Sequence, residues 1–552
     1  MSALPLLRSL PLPKGGLRSF IPAAGRAATR KNPAESLPEP APKAPRKRRR
    51  KKARPSPLPV DVIVPEGGQR FWHQLVIDRL EAEGHDVAVL LGPGQSPWPD
   101  PIRRTIEFER RLLRRRKDSL YSGVTLSQVP KTRGAALIVD LAGGAEHGRT
   151  PTLKILFDGS PLDLAALMGL LRGSQPTLTL TLDGHSVAGS ALPMIDKPES
   201  AALGLDDVLA RAATFISSAV RAFADERLAA TGEVRLASSA APGPARFALV
   251  YLLRALPRLA RECLRRLRFR HAHWRVGYRF VEGPGVADIG ALGVGWAVLP
   301  DDGSRFYADP FPFWYGTRPY VFVEDYSHAA RKAVISVVSF DLQGKPRPAR
   351  KVLEAPHHLS YPQVFERDGA IWMLPEASES RKLTLYRALN FPDRWVEKSV
   401  LIEDREISDA TLLDHGGKLW LFATERDGHG STSDTMVVFL ADELTGPWRP
   451  HPMNPILIDR TCARPGGAFV RISERILLPV QDGTRGYGGG LGFCEVLELT
   501  PEIVRLGPAR SLSTAGDFPY PQIHTLNRAG GIEVIDGIVP MPRRARRAAP
   551  VR

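Results

Sequence analysis

Apolar positions follow two rhythms along this 552-residue chain, and they change near residue 275. Between 58 and 230 short apolar runs alternate with helical stretches. "VDVIVP" (60–65) predicts a buried strand, and the residues from Gly68 to Leu91 predict a helix, a glycine stop and a second strand. "AALIVDLA" (135–142) and "TLKILFD" (152–158) predict further strands, and residues 204–230 predict a closing helix. Strands alternating with helices imply crossover connections, hence a small parallel-sheet α/β domain over 58–230. A stretch rich in Ala, Ser, Pro and Gly (231–245) then reads as a linker. Within 246–275 the apolar residues from Phe247 to Leu267 recur at helical spacing, with Arg254, Arg258, Arg261, Arg265 and Arg268 on the opposite side. Pro257 predicts a kink in that helix.

Beyond 290 the pattern turns to strands separated by Gly, Asp and Asn turns. Five stretches align: 308–325, 360–377, 408–426, 462–482 and 520–537. Each starts at a polar or proline-linked anchor, runs through a strand, turns, and ends a second strand at a polar residue. The anchors Asp309, Tyr361, Asp409, Arg464 and Pro521 lie 52, 48, 55 and 57 residues apart. A four-stranded propeller blade occupies on the order of 40–50 residues. The expected architecture is therefore α/β plus all-β, with a five-bladed β-propeller over 275–540. Five unrelated hairpins in one β-sandwich are the alternative. An antiparallel hairpin returns its second strand to the level where the first began. Five such units would gather Asp309, Glu324, Glu376, Asp409, Glu425, Arg464, Gln481, Asp482, His524 and Asp536 at one mouth.

Charge and cysteine content narrow the setting. The formal charge is +17, concentrated in the Pro/Ala-rich tail 1–57 (above all 45–57), in 110–117, along 246–275 and in the short basic tail 541–552. The tail 1–57 is low in complexity and rich in Pro, Ala and basic residues, a composition that predicts disorder. Cys263, Cys462 and Cys494 are odd in number and irregular in spacing, which points away from a disulfide framework or a zinc site and toward a reducing, cytoplasmic setting. No apolar run reaches the ~18–20 residues that span a bilayer. The basic helix of 246–275 either lies on an anionic membrane surface, at the inner face, or packs its apolar stripe on a neighbouring domain. Nucleic acid is the less favoured partner of the basic runs.

The mouth residues suggest sugar chemistry. Glycosyl transfer and hydrolysis use two carboxylates flanking an oxocarbenium-like centre. Asp309 and Asp409 are the natural pair, with Glu376 as third catalytic carboxylate. Arg464 would bind a phosphate or carboxylate of the substrate. His358, Tyr361, Glu425, Gln481, Asp482 and His524 complete the expected binding set, with His357, Trp314 and Tyr315 as further contacts and Trp372 and Trp420 placed in the core. Glu324 and Glu425 have Arg318 and Arg426 as possible partners. No metal or cofactor is assigned.

Two resemblances add to this. The runs "ADPFPF…FVED", "HLSYPQVFE…PEAS", "DATLL…WLFAT", "NPI…ARPGGAF" and "PQIHTLN" resemble the five-bladed N-terminal domain of plant glucosamine inositolphosphorylceramide transferases and bacterial relatives. More distantly they are similar to arabinanase- and fructosidase-type glycosidases. The resemblance implies a glycan- or glycolipid-directed role. It implies that Asp309 acts as base or nucleophile and Asp409 tunes the acid or stabilises the transition state. Those glycosidases place a Glu acid near blade four, where this chain has "CARPGG"; Glu495 is the nearby candidate. The departure disfavours plain hydrolysis and leaves open transfer, action on a phosphate-linked sugar, or a non-catalytic glycan-binding propeller. The α/β domain resembles the N-terminal domain of formyltransferase-like proteins in its strand–helix texture. That implies an Asn–His–Asp triad for modifying an amino sugar; "FDGSPLDL" (157–164) lacks the His, and His185 is the one stray candidate, so the domain is identified as a degenerate relative.

Overall fold

A computed structural model describes residues 57–543 apart from 95–97, 114–118, 130–133, 145–147, 185, 231, 235–242 and 271. The tail 1–56, most of the linker, residues 114–117 of the second basic run, His185 and the end of the chain from 544 lie outside the described residues.

The first apolar rhythm builds strands β1 (Pro59–Pro65), β2 (Asp86–Gly92), β3 (Leu137–Asp140) and β4 (Thr152–Phe157). They pair in parallel in the order β2-β1-β3-β4. The sheet is larger than the parallel pattern predicted. β5 (Leu178–Leu182) and β6 (Ser186–Ala191) continue it as antiparallel strands. For β6 the reason is local: Asp183 and Gly184 both adopt positive φ, the backbone of a tight hairpin turn, so the chain doubles back from β5 without a crossover helix. Helices α1 (Phe71–Ala82), α3 (Asp163–Arg172) and α4 (Ala201–Ala224) pack on this sheet, and α2 (Asp100–Leu112) packs against α4. α4 carries the buried Leu205, Val208, Leu209, Ile216 and Val220.

The linker leads into α5 (Pro244–Val250), a π-helical turn over Tyr251–Ala255 and α6 (Leu256–Arg268). Pro257 explains the wide turn. It has no N–H to give the carbonyl of Leu253, and the chain answers by bonding Leu256 back to Tyr251. Among the described residues no helix is long and apolar enough to cross a membrane.

The rest is a five-bladed β-propeller. Blade one runs over Arg305–Leu353, blade two over Ser360–Glu403, blade three over Ile407–Ile458 and blade four over Arg464–Ser511. Each begins with the predicted hairpin, and the register puts the anchor region and the terminal polar residue at one level: Ala308 faces Glu324, Ser360 faces Glu376, Ile407 faces Glu425 and Arg464 faces Gln481. Blade five is a composite. The hairpin Ile523–Ala529 and Ile532–Ile538 is completed by β7 (Trp274–Phe280) and the short strand Ala297–Val298, both from the front of the propeller. Joining the first and last strands of the propeller in one sheet closes the ring. The blades pack through separate apolar clusters between neighbouring sheets, one between blades two and three (Leu374, Leu421, Phe439) and one between three and four (Phe422, Met436, Leu478).

The α/β domain docks on blade three at the loops 426–434 and 452–460, and reaches blade four where Gln175 Nε2 donates to the Thr484 carbonyl at 3.0 Å. Arg211 of α4 is fully buried there, its Nε 2.7 Å from Asp434 Oδ1, and its guanidinium also donates to the carbonyls of Ser431 and Arg426. Met194 N donates to Asp434 Oδ2 at 2.8 Å, Leu192 N donates to the Ile458 carbonyl at 2.9 Å, and Arg460 N donates to the Leu192 carbonyl at 2.8 Å across the interface. Gly430 has φ +76°, and a Cβ there would sit 3.0 Å from the Arg211 guanidinium, so this turn needs glycine twice over.

Candidate functional site

In blades one, two and three the innermost strand passes through a left-handed residue: Asp309 at φ +47°, Tyr361 at +46° and Asp409 at +51°. At each the pairing register slips, between Ala308 and Phe311, Ser360 and Gln363, and Ser408 and Thr411. Aspartate tolerates this backbone; for a residue as bulky as Tyr361 it is an outlier of the kind found where surroundings over-determine a conformation.

The surroundings do so by linking every blade to the next. Asp309 N donates to Asp536 Oδ2 of blade five at 2.8 Å, and Tyr361 N of blade two donates to Asp309 Oδ2 at 3.3 Å. The Tyr361 hydroxyl meets Thr411 Oγ1 of blade three at 2.9 Å. Asp409 joins blade three to blade four through Arg464, whose Nε and second terminal nitrogen reach its two oxygens at 2.6 and 3.2 Å, and through Gln481 Nε2 at 2.8 Å. Leu526 N of blade five closes the circle on the carbonyl of Gly466 at 2.8 Å. Beside it, a Cβ on Gly467 would fall 2.1 Å from the Leu526 carbonyl, so only glycine allows blades four and five to meet.

Two carboxylates in this hub sit in different electrostatic settings. Asp309 Oδ1 accepts from Thr525 Oγ1 at 2.7 Å and lies 3.4 Å from His524 Nε2. Burial pushes its carboxyl up to about 8; the charges of Asp409, Glu324 and Asp536 add to the rise and His524 opposes it. Burial raises Asp409 as well, but the two-pronged Arg464 contact works against that rise and favours its ionised form. His524 is clamped between acids, Nδ1 being 2.7 Å from Asp536 Oδ1. Burial alone would lower this imidazole, but the carboxylates of Asp536 and Asp309 raise it to about 9. Asp309, His524 and Asp536 present ligand atoms within 4.8 Å of one another, the spacing of a metal site. Protonation of His524 would put a positive charge at this same point, between Asp309 and Asp536.

The other expected residues divide. Glu376 lies at the rim, with Ser360 Oγ on one oxygen at 2.7 Å and Ser378 N on the other at 2.9 Å. His358 approaches Glu324 at 3.3 Å. Burial pulls His358 down, but Glu324 more than reverses this and raises it to about 9. Glu324 and Glu425 do not pair with Arg318 and Arg426: Glu425 is held by Arg405 at 2.6 and 2.5 Å. Glu425 also lines a separate cavity of about 220 Å³ shared with Arg79, Glu83 and Arg221 of the α/β domain. Asp482 caps the turn 483–485 by accepting from Thr484 N at 2.9 Å. Tyr361 is wholly buried and offers no face to a solute. Trp314 and Tyr315 stand at the opposite end of the first inner strand from Asp309, where Trp314 Nε1 bonds the Ala529 carbonyl, so neither ring reaches the hub. Trp420 is core, as expected, and Trp372 is half-buried. Glu495 pairs with Arg475 on the third strand of blade four, away from the hub.

Three hub residues escaped the sequence reading. Trp274 stacks on His524 with ring centroids 3.9 Å apart. Tyr487 meets both rings edge-on and lies 5.3 Å below the Arg464 guanidinium carbon while keeping 46 % of its surface exposed. Thr525 holds Asp309. A lone aromatic in the glycine-rich "GTRGYGGG" was the available signal for Tyr487; nothing local marked Trp274, whose place depends on ring closure.

In the α/β domain the triad implied by the formyltransferase resemblance is not assembled. No asparagine occurs between 58 and 230. His73 is buried, its Nδ1 accepts from Arg70 N at 3.1 Å, and burial with the neighbouring Arg70 lowers it to about 3. Asp163 is spent on Arg70 at 2.8 Å and Trp98 Nε1 at 2.9 Å.

The fold and hub thus define a five-bladed propeller with an acidic, imidazole-bridged centre and a docked α/β domain. Residues 297–505 match the family model described as glucosamine inositolphosphorylceramide transferase 1, N-terminal. Proteins named glucosamine inositolphosphorylceramide transferase 1 from Oryza sativa subsp. japonica and Arabidopsis thaliana are 32 % and 31 % identical over 203 and 206 residues, 36 % and 37 % of this chain. The chain spans 27 % of the length of these curated relatives. Among solved structures, a thermostable family-43 glycoside hydrolase is similar with a TM-score of 0.31 and 14 % identity, covering 39 % of this chain and 83 % of that one. The catalytic domain of a Coprinopsis cinerea GH62 α-L-arabinofuranosidase has a TM-score of 0.31 and 13 % identity, covering 44 % and 86 %.

Proposed function

We propose that the propeller acts on a saccharide or glycolipid by glycosyl transfer or cleavage, with Asp309 and Asp409 as the working carboxylates. The observation that carries this is their unequal surroundings: one buried acid raised to about 8 beside His524, the other gripped by Arg464. Burial raises both carboxyls, but only Asp409 has a guanidinium that favours its ionised form, so the pair suits separate acid and charge-stabilising roles. In this reading the Asp309–His524 pair gives a proton to the leaving oxygen as the glycosidic C–O bond breaks. Asp409 faces the developing positive charge, and a water or acceptor hydroxyl adds to the anomeric carbon and returns its proton to the pair. This reverses the roles that the glycosidase resemblance implies for the two aspartates. The likeness of residues 297–505 to transferases acting on inositolphosphorylceramide supports a lipid-linked, phosphate-bearing substrate class.

The test is turnover of inositolphosphoryl lipids and nucleotide sugars by the full chain, read by mass spectrometry. Asp309→Asn keeps the shape and the acceptor for Thr525 while removing the proton, so turnover should fall about 10²–10⁴-fold with saccharide affinity little changed. Wild-type turnover by this variant would refute the assignment. A second reading, a non-catalytic glycan-binding propeller, is favoured by one observation: both oxygens of Asp409 and of Glu376 are already occupied by protein donors. Saccharide binding with no turnover by the wild type would select it.

A further inference from the structure

The helix of 244–268 does not use its apolar residues as a single core-facing stripe. Phe247, Ala255 and Leu259 turn inward, and Arg258 donates to the Leu170 carbonyl at 2.7 Å at the end of α3. Leu249, Leu252, Leu253, Leu256, Leu264 and Leu267 point outward, Leu253 64 % and Leu267 75 % exposed. The extra residue of the π turn rotates the two halves against each other, which leaves Leu252 and Leu253 both outside.

On α6 the exposed half has two adjoining arcs. Leu256, Ala260, Leu264 and Leu267 share one, and Arg261, Arg265 and Arg268 the other. Between 244 and 270 there are eight arginines and one acid, Glu262, which is taken by Arg265 and Arg266. Arg254, Arg261 and Arg268 have no ion-pair partner among the described residues. α2, packed against α5, adds the exposed Phe108 and Leu112 from a second element. Leucines beside unpaired arginines, with no matching acids, fit a surface that is apolar within and negative at its boundary. Arginine stems lie along such a boundary while the head groups meet phosphate.

We infer that the outward leucine–arginine face of α5–α6 seats the protein on an anionic lipid surface, lying in the interface and not spanning it. The inference is independent of the hub chemistry.

The test is co-flotation of the full chain with vesicles of phosphatidylcholine alone or mixed with phosphatidylserine. Binding is expected to the mixed vesicles only and to weaken with salt. Arg254→Gln/Arg261→Gln/Arg268→Gln should weaken it on the order of a hundredfold, about fivefold per arginine. Leu253→Ser/Leu264→Ser/Leu267→Ser leaves every charge in place and should weaken it about tenfold per residue. Unchanged binding by the leucine variant would overturn the inference, since charge elsewhere, such as residues 45–57, would then be sufficient. Equal binding to neutral vesicles, or none by the wild type, would also overturn it. So would a wild-type dimer that the leucine variant converts to monomer, because a second copy would then be the occupant. All substituted side chains face outward, so thermal melting monitored by circular dichroism should match the wild type.

Discussion

Removing the Arg211 guanidinium should loosen the hub from a distance. Arg211→Met keeps the length and packing of the α4 side chain but leaves Asp434, fully buried 2.7 Å away, without its counter-charge. Breaking a buried pair by deleting one partner costs about 3–5 kcal/mol, because the remaining charge is stranded out of water. The damage lands on one loop. Residues 431 and 434 hold Arg211, while Arg464 of the hub donates to Thr432 Oγ1 at 3.3 Å and Ser433 Oγ at 3.0 Å. A loss of about 4 kcal/mol corresponds to roughly a thousandfold rise in the open population of that loop. Hydrogen exchange of the amides 426–434, followed by mass spectrometry, reads this directly. The double variant Arg211→Met/Asp434→Leu removes both charges and should recover most of the protection, since the stranded charge is gone. Unchanged exchange in Arg211→Met, or a double variant no better than the single one, would refute the coupling of the α/β domain to the hub.

Two further outcomes follow from the ring. Trp274→Ala deletes a buried ring that both completes blade five and stacks on His524, so it should lower stability by about 3–5 kcal/mol in urea unfolding; a loss below about 1 kcal/mol would mean the closing strand contributes little. Stability should also depend on pH. His524 and His358 are raised from 6.5 to about 9, so their contribution is whole below pH 6.5 and is lost as the pH climbs through 9. Asp309, raised from 3.8 to about 8, binds more protons folded than unfolded between those values, so it too makes stability fall as pH rises. The urea midpoint should drop between pH 6.5 and 9, and His524→Gln should flatten the slope; a midpoint that rises over this window would contradict the hub's charge arrangement.

What the chain settled by local pattern was the unit. Strand-like apolar runs, Gly, Asp and Asn turns and polar anchors repeated at blade spacing determined five hairpins, and with them the level at which Asp309, Asp409, Arg464, Gln481 and His524 stand. The same local logic held for β1–β4 and α4. Tertiary structure decided what no window of sequence contains. Ring closure brings β7 beside a strand some 250 residues later, and so puts Trp274 on His524. It turns Tyr361 into a buried pin and assigns Arg464 to Asp409. Helical spacing could not say which side of 246–267 would find a partner, and the π turn at Pro257 divided the stripe between core and solvent. Residues near in sequence share geometry through the backbone; which surfaces are covered and which charges meet depends on packing between segments hundreds of residues apart.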